Sequence, residues 1–349
     1  MTTESTSRIE LGFLTNGAFS ADWPGGVGQG HKDVIELFRI GEQLGYDKGW
    51  VRNRHFDNYL SSPLTVLAAA AQATRRIRLG TAIIPVGYEH PIRLAEDAAT
   101  VDLIADGRLE LGIASGLPSF HRIFHPEEAG SWEETSKARV KQFLAALRGE
   151  SYGSWPAGDD LHVRPLSPGL AARVWYGPSG VASATRAAEF GLDLLLSAIA
   201  PAIGLPFDAA QLAQIEAHQA AWTRTDRAPR VSTARLFFPW RNERQRQLYQ
   251  GFADLRAAEG PAASRPPGAL GPVDRPTKPG QAAPGLMSPV VVGEPAAIVD
   301  YLLGDLAVQR SGEFMIFLPP GFTHAENLEL LETIVEHVAP HLGWRPVFG

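Results

Sequence analysis

No cysteine occurs anywhere in the 349-residue chain. That removes disulfides, zinc–thiolate sites, iron–sulfur clusters and cysteine nucleophiles, and it agrees with a reducing cytoplasm, the compartment expected here. Basic residues are fewer than acidic ones, 32 against 38, for a formal net charge of −6 and a pI near 5.9. Nucleic acid and anionic membrane both call for a clustered basic face, so neither is expected as a partner. No apolar run reaches the roughly 18 residues of a spanning helix. The polar opening MTTESTSRIE lacks the apolar core of a signal peptide, and none is expected.

Several catalytic signatures are missing too. No Asp/Glu/His group has metal-ligand spacing, so no metal site is expected. Paired carboxylates of the glycosidase kind are not evident. ASGLPS and GPSGVAS do not match the G-x-S-x-G nucleophile elbow. A Walker lysine and a full G-x-G-x-x-G are absent.

What is present is an alternation. Short apolar runs at 9–15, 46–51, 77–84, 108–114, 172–177, 192–197, 229–238 and 313–319 read as strands. Between them lie stretches with helical spacing at 33–45, 62–74, 91–105, 131–149, 180–191, 209–224 and 243–260, with further helices at 294–307 and 327–342. Short apolar strands separated by amphipathic helices imply a parallel sheet covered by helices. Eight such units predict an α/β fold, a (β/α)8 TIM barrel formed by one domain over residues 1–349. Residues 259–289, dense in Pro, Gly and Ala, break the rhythm and read as a mobile lid or a disordered insertion.

A barrel of this kind places its active site at the C-terminal ends of its strands. Those ends carry Thr15 and Asn16; Arg52, Asn53, Arg54 and His55; Ile83 to Pro85 with Tyr88 and His90; Ala114 to Gly116; Tyr176, Gly177, Ser179 and Gly180; Ser197; and Phe237 to Trp240. Small residues, backbone amides and aromatics dominate this set, which suits a large flat organic cofactor that brings its own chemistry. In YGPSGVASATRAAEFG (176–191) a strand runs through a Gly/Ser turn into a helix. Its free amides and the Ser179 and Ser183 hydroxyls predict either a phosphate seat or a plain capped loop. Asp102 and Arg108 read as braces between helix and strand. His121 and His125 fall in the loop after the fourth strand.

Residues 76–116, RIRLGTAIIPVGYEHPIRLAEDAATVDLIADGRLELGIASG, resemble the bacterial luciferase-like, flavin-dependent monooxygenases. ELFRIGEQLGYDKGWVRNRHF, AAEFGLDLLLS and VGEPAAIVDYLL extend the resemblance from about residue 8 to 340. It implies a barrel, reduced FMN supplied by a separate flavin reductase, and oxygenation of a small organic substrate by O2. It also implies a non-proline cis peptide at Ala82–Ile83 beneath the flavin, and phosphate contacts from Arg139, Gly180, Val181 and Ser183. A further phosphate-binding arginine of luciferase corresponds to Ser115, and a reactive cysteine to Ala114. Luciferase has Glu-His-His where this chain has Asn53-Arg54-His55. Arginine is no general base near neutral pH, so His55 remains the acid–base candidate, with Arg54 beside it to hold an anionic substrate or stabilise a peroxide. That departure argues against light emission.

Tyr88, Phe237 and Trp240 are the expected substrate contacts. Two rival readings stand beside a monooxygenase: hydride transfer with a deazaflavin on the same fold, and a non-catalytic flavin-binding subunit. The apolar helices that start SPLTV and PIRLAED predict a homodimer.

Overall fold

The computed structural model describes residues 8–22, 25–127, 131–156, 158–259 and 286–347. The elements, in chain order, are β1 (Glu10–Thr15), α1 (Gln29–Leu44), β2 (Lys48–Val51), α2 (Pro63–Ala73), β3 (Arg78–Pro85), α3 (Pro91–Ile104), β4 (Leu109–Ala114), α4 (Pro118–Phe124), α5 (Trp132–Leu147), β5 (Val174–Tyr176), α6 (Val181–Glu189), β6 (Asp193–Leu196), β7 (Ile199–Ala200), α7 (Phe207–Ala221), β8 (Val231–Pro239), α8 (Glu243–Glu259), β9 (Leu286–Met287), β10 (Val290–Gly293), α9 (Pro295–Gly304), α10 (Leu306–Gln309), β11 (Glu313–Phe317) and α11 (His324–His337). Strands β1 to β6, β8 and β11 pair in parallel, each with the next, and β11 closes on β1. The result is the expected (β/α)8 barrel.

Most helices start on a recognisable signal. Proline opens α2, α3, α4 and α9, where its missing N–H has no intrahelical partner to lose. Thr323 and Glu326 close a capping box on α11. Gly45, at φ 88°, stops α1 in the left-handed conformation.

The barrel interior is not purely apolar. At the N-terminal ends of the strands Lys48 Nζ bonds Glu313 and lies 2.6 Å from Glu10. Arg78 pairs with Glu110 at 2.7 Å, and Arg230 with Asp193 at 2.8 Å. Trp50 and Trp175 donate their indole N–H groups to Glu313 and Glu110 at 2.8 and 2.6 Å, and their rings meet edge to face. Together these groups plug the barrel floor. Gly80 makes room for that plug, since a Cβ there would lie 2.1 Å from the Trp50 ring. The opposite end is left for chemistry.

Several boundaries differ from the sequence reading. The segment 294–307 is two helices, because Asp305 leaves α9 and caps α10 through the Ala307 and Val308 amides. The final helix ends at His337 and a 3-10 turn, Ala339–Leu342, follows. Residues 118–124, expected to be loop, form α4; His121 is inside it and His125 is its C-cap. The insertion expected over 259–289 falls outside the described residues at 260–285. Its last residues are not structureless: β9 pairs antiparallel with β7, and β10 then joins the upper half of β8. Among the described residues no helix is long and apolar enough to cross a membrane.

Candidate active site

The N–H of Arg52 donates to Thr15 O at 2.9 Å, so the end of β2 stays in register with β1 one residue beyond Val51. The chain then folds back at once. Arg54 N donates to Leu60 O, and Leu60 N to Asn16 O. Within this turn Arg54 pairs with Asp57 at 3.2 Å and lies over the Tyr59 ring at 5.3 Å. Arg54 is therefore committed to the turn, with its charge already met by one carboxylate. Phe56 adopts φ 58°, a left-handed conformation that bulky side chains rarely take. Next to it, His55 turns toward the mouth.

His55 meets an aromatic wall. Its ring lies 4.8 Å from Phe124 and 5.8 Å from Tyr88, both edge to face. Tyr88 stacks on Phe124 at 5.1 Å and reaches Phe120 and Trp132. The Tyr88 hydroxyl accepts from Leu117 N and donates to Leu117 O, pinning the start of α4. Among the described residues His55 Nε2 is buried with no hydrogen-bond partner, and burial holds the imidazole below its ordinary value.

The residues expected to hold a cofactor lie on neighbouring strands. The Ala82–Ile83 peptide bond is cis. Ile83 packs against the loop after β5: a Cβ on Gly177 would lie 3.1 Å from Ile83 Cγ2. That loop leads into α6. There Ser183 Oγ accepts from Ser179 N and Gly180 N at 2.8 and 3.0 Å, while Val181, the first residue of the helix, is exposed. A helix start with an open first turn suits a phosphate. Ser115 Oγ lies 2.8 Å from the Tyr176 hydroxyl, tying the ends of β4 and β5. Arg139 is held differently from the expectation. It donates to Gly87 O and Glu89 O at 3.2 and 2.7 Å and lies 2.5 Å from His125 Nε2, bracing the turn after β3. Together these residues present an apolar floor at Ala82 and Ile83, a helix start at Val181 and an aromatic wall at Tyr88 and Phe124.

Two expected substrate contacts separate. Phe237 stands two residues after Arg235 and shares its face; Arg235 bonds Asp305 in the helix layer, and the Phe237 ring packs on Phe314. Phe237 is fully buried on the outer face of β8, away from the mouth. Alternation along a strand decides this, and position alone had not. Trp240 is partly buried and its backbone N–H donates to Gly293 O, which holds it at the top of β8. Asp102 and Arg108 are braces as expected, the former accepting from Leu109 N, the latter donating to Ala71 O and Ile77 O.

The aromatic wall of α4 had not been foreseen. Pro118 followed by Phe120 and Phe124, an i,i+4 aromatic pair, was the signal. Clefts lined by Lys141, Arg148, Glu189 and Phe190 lie at the C-terminal ends of α5 and α6. That is the end of the barrel opposite the mouth.

The sequence profile described as luciferase-like monooxygenase matches residues 9–270. The alkanal monooxygenase alpha chain of Photorhabdus luminescens is 27% identical over 177 residues, 48% of either chain. The oxygenase component of the flavin-dependent trigonelline monooxygenase of Acinetobacter baylyi is 38% identical over 120 residues, 34% of this chain and 33% of its own. The chain thus spans about half the length, or less, of these relatives. The FMN complex of the oxygenating constituent of 3,6-diketocamphane monooxygenase of Pseudomonas putida superimposes with a TM-score of 0.67 at 14% identity, covering 95% of this chain and 98% of that one. Coenzyme F420-dependent tetrahydromethanopterin reductase of Methanopyrus kandleri gives 0.64 at 17%, covering 96% and 99%. At those identities the two structures establish the fold alone.

Proposed function

We propose that this chain, which belongs to the luciferase-like monooxygenase family, oxygenates a small organic substrate with reduced FMN and O2, the flavin coming from a separate reductase. The observation that carries the reading is the contact between Ile83 and the Gly177 loop, which puts the β3 floor and the α6 helix start on one side of the mouth. The word "component" in the name of the Acinetobacter relative supports a separate electron source.

In this reading the isoalloxazine rests near Ala82 and Ile83, and the phosphate at Gly180, Val181 and Ser183. Ser115 and Arg139 complete the surround through the hydroxyl pair with Tyr176 and the brace on the turn after β3. The bound flavin supplies the oxygen chemistry. The chain's own part is to position, to exclude water and to move a proton. Tyr88, Phe120 and Phe124 make a dry wall. His55 Nε2, uncharged at neutral pH, takes or returns a proton at the reacting group, and Arg54 sets the field beside it. Trp240 and Tyr88 bound the substrate side. A homodimer through α2 and α3, where Leu103 and Ile104 are exposed, and work in the cytoplasm belong to the same proposal.

Hydride transfer with a deazaflavin is the second reading. Ser115 bonded to Tyr176 leaves one fewer cation for an FMN phosphate, and that favours it. Anaerobic titration with reduced FMN, then with a reduced 8-hydroxy-5-deazaflavin, separates the two. Tight binding of reduced FMN, with oxygen uptake coupled to substrate oxygenation, is expected. Binding of the deazaflavin alone would overturn the reading.

A further inference from the structure

We infer that Arg52 and Asn16 form a subsite for a carboxylate group on the organic substrate. The inference rests on the reading of the barrel mouth as the substrate site and names the class of molecule that enters it.

Arg52 follows β2 with the parity of Lys48 and Trp50, and Asn16 follows β1 with the parity of Gly12 and Leu14. Gly12 faces the barrel axis, since a Cβ there would meet Met315, Glu313 and Trp50. Arg52 and Asn16 therefore sit side by side on the inner face, one residue beyond the Thr15–Val51 register pair, at the catalytic end. Phe317 has the same inward parity on β11, and the Arg52 guanidinium lies over its ring at 5.9 Å. A cation–π contact of this kind uses the ring face and takes up no N–H, so the guanidinium's N–H fork is left for a planar anion.

Among the described residues no carboxylate pairs with the Arg52 guanidinium and no side chain or carbonyl accepts from it. The nearby acid, Asp57, is bonded to Arg54. Burial, and then the positive charges of Arg54 and Arg256, push Arg52 down to about 10, while Tyr59 and Asp57 only partly offset them. Arg52 thus stands beside two like charges, and Arg256 is itself only 6% exposed. Asn16 provides an independent sign. It is 2% exposed, and its Nδ2 donor is buried without an acceptor. A buried donor left unmet is unfavourable, so these two donors together call for an acceptor-only, negatively charged group. A carboxylate meets the fork and the amide at once, and it would be the part of the substrate that is held rather than oxidised.

The test uses the full-length protein and two matched probe pairs, benzoate with benzamide and octanoate with octanamide, in calorimetric titrations. The acid of at least one pair is expected to bind about 10- to 100-fold tighter than its amide. Arg52→Met erases that preference, Arg52→Lys keeps part of it, and Asn16→Ala reduces it. Thermal unfolding identifies any variant that fails to fold, and Arg52→Lys with Asn16→Ala then carries the test. Equal affinity for acid and amide, no binding of either pair, or a preference that survives Arg52→Met overturns the subsite. Anaerobic titration of the same variants with reduced FMN keeps the two readings apart. FMN binding unchanged by Arg52→Met places the lost anion site on the substrate, whereas a loss confined to FMN overturns it. An Arg52-dependent acid preference in a protein that binds no reduced FMN leaves the subsite standing and removes the flavin reading.

Discussion

His55 and Phe124 meet edge to face with ring centroids 4.8 Å apart. That contact keeps water off the imidazole and explains why its pKa is lowered from 6.5 by burial. The neutral form is then the resting form above about pH 6.5. If His55 moves a proton, kcat/KM should be flat from pH 7 upward and fall on the acid side, through a value below 6.5. His55→Gln should lose about 100-fold or more in turnover and lose the acid limb as well. A variant that loses turnover but keeps the limb puts the proton carrier elsewhere. The shift also bears on stability. A histidine with a lowered folded pKa contributes above its unfolded pKa of about 6.5 and loses that contribution as pH falls through the folded value.

Tyr88 makes a second prediction. Its hydroxyl is the clasp that holds Leu117 on both backbone groups. Tyr88→Phe keeps the stack on Phe124 but opens the clasp, so α4 should swing more freely over the mouth. The expected readout is uncoupling: more hydrogen peroxide released per reduced flavin consumed, with kcat/KM down about ten-fold. An unchanged coupling ratio would mean that α4 does not seal the site.

The barrel itself was legible because eight apolar runs alternate with helical spacing, and a one-residue error at a strand end does not change the topology. Asn16, Arg52 and His55 could be placed at the mouth by position alone. Their neighbours could not, because Phe317 and Arg256 come from the far end of the chain and only the closed barrel brings them near. Phe237 was misplaced for a simpler reason, since neighbouring strand residues face opposite sides. The charged floor was visible in hindsight. Glu10, Lys48, Arg78, Glu110, Asp193, Arg230 and Glu313 each stand at or beside the start of a strand. Their meeting on the axis follows from the register, which the sequence does not state.

Lys48 holds that floor together. Burial pushes the Glu110 carboxyl up, but Lys48, Arg230, Arg78 and the Trp175 indole overcome it and hold it at about 2, below the ordinary 4.5. A depressed carboxyl contributes stability above its unfolded pKa, here on the order of 3 kcal/mol, and loses it as pH falls from 4.5 toward 2. Lys48→Met should destabilise the fold by about 3–5 kcal/mol at pH 7, because Glu313, Glu110 and Glu10 lose their shared cation. The deficit should shrink toward pH 4, as the stranded carboxyls take up protons. Adding Glu313→Gln, which removes one charge and keeps an acceptor for Trp50, should recover part of the loss. A Lys48→Met protein as stable as the parent at pH 7 would sink this account.

Asp102 is the residue whose buried charge could most easily be mistaken for a catalytic one. Its Oδ1 accepts from Leu109 N at 3.0 Å, and its Oδ2 accepts from Ser167 Oγ and Arg173 Nη2, both at 2.5 Å. All three partners belong to the frame around β4 and the approach to β5, and Asp102 lies on α3 near its C-terminus, at the end of the barrel opposite His55. Asp102→Ala strands a buried amide and hydroxyl and a partly buried guanidinium, and should cost about 3–5 kcal/mol. Asp102→Asn keeps an acceptor for Leu109 and should cost less, about 1–2 kcal/mol. Both should lower the melting temperature while leaving kcat and KM per folded molecule unchanged. A fall in kcat without a fall in melting temperature would instead place Asp102 in the chemistry, and would require the strand ends to be wrongly assigned as the reacting face.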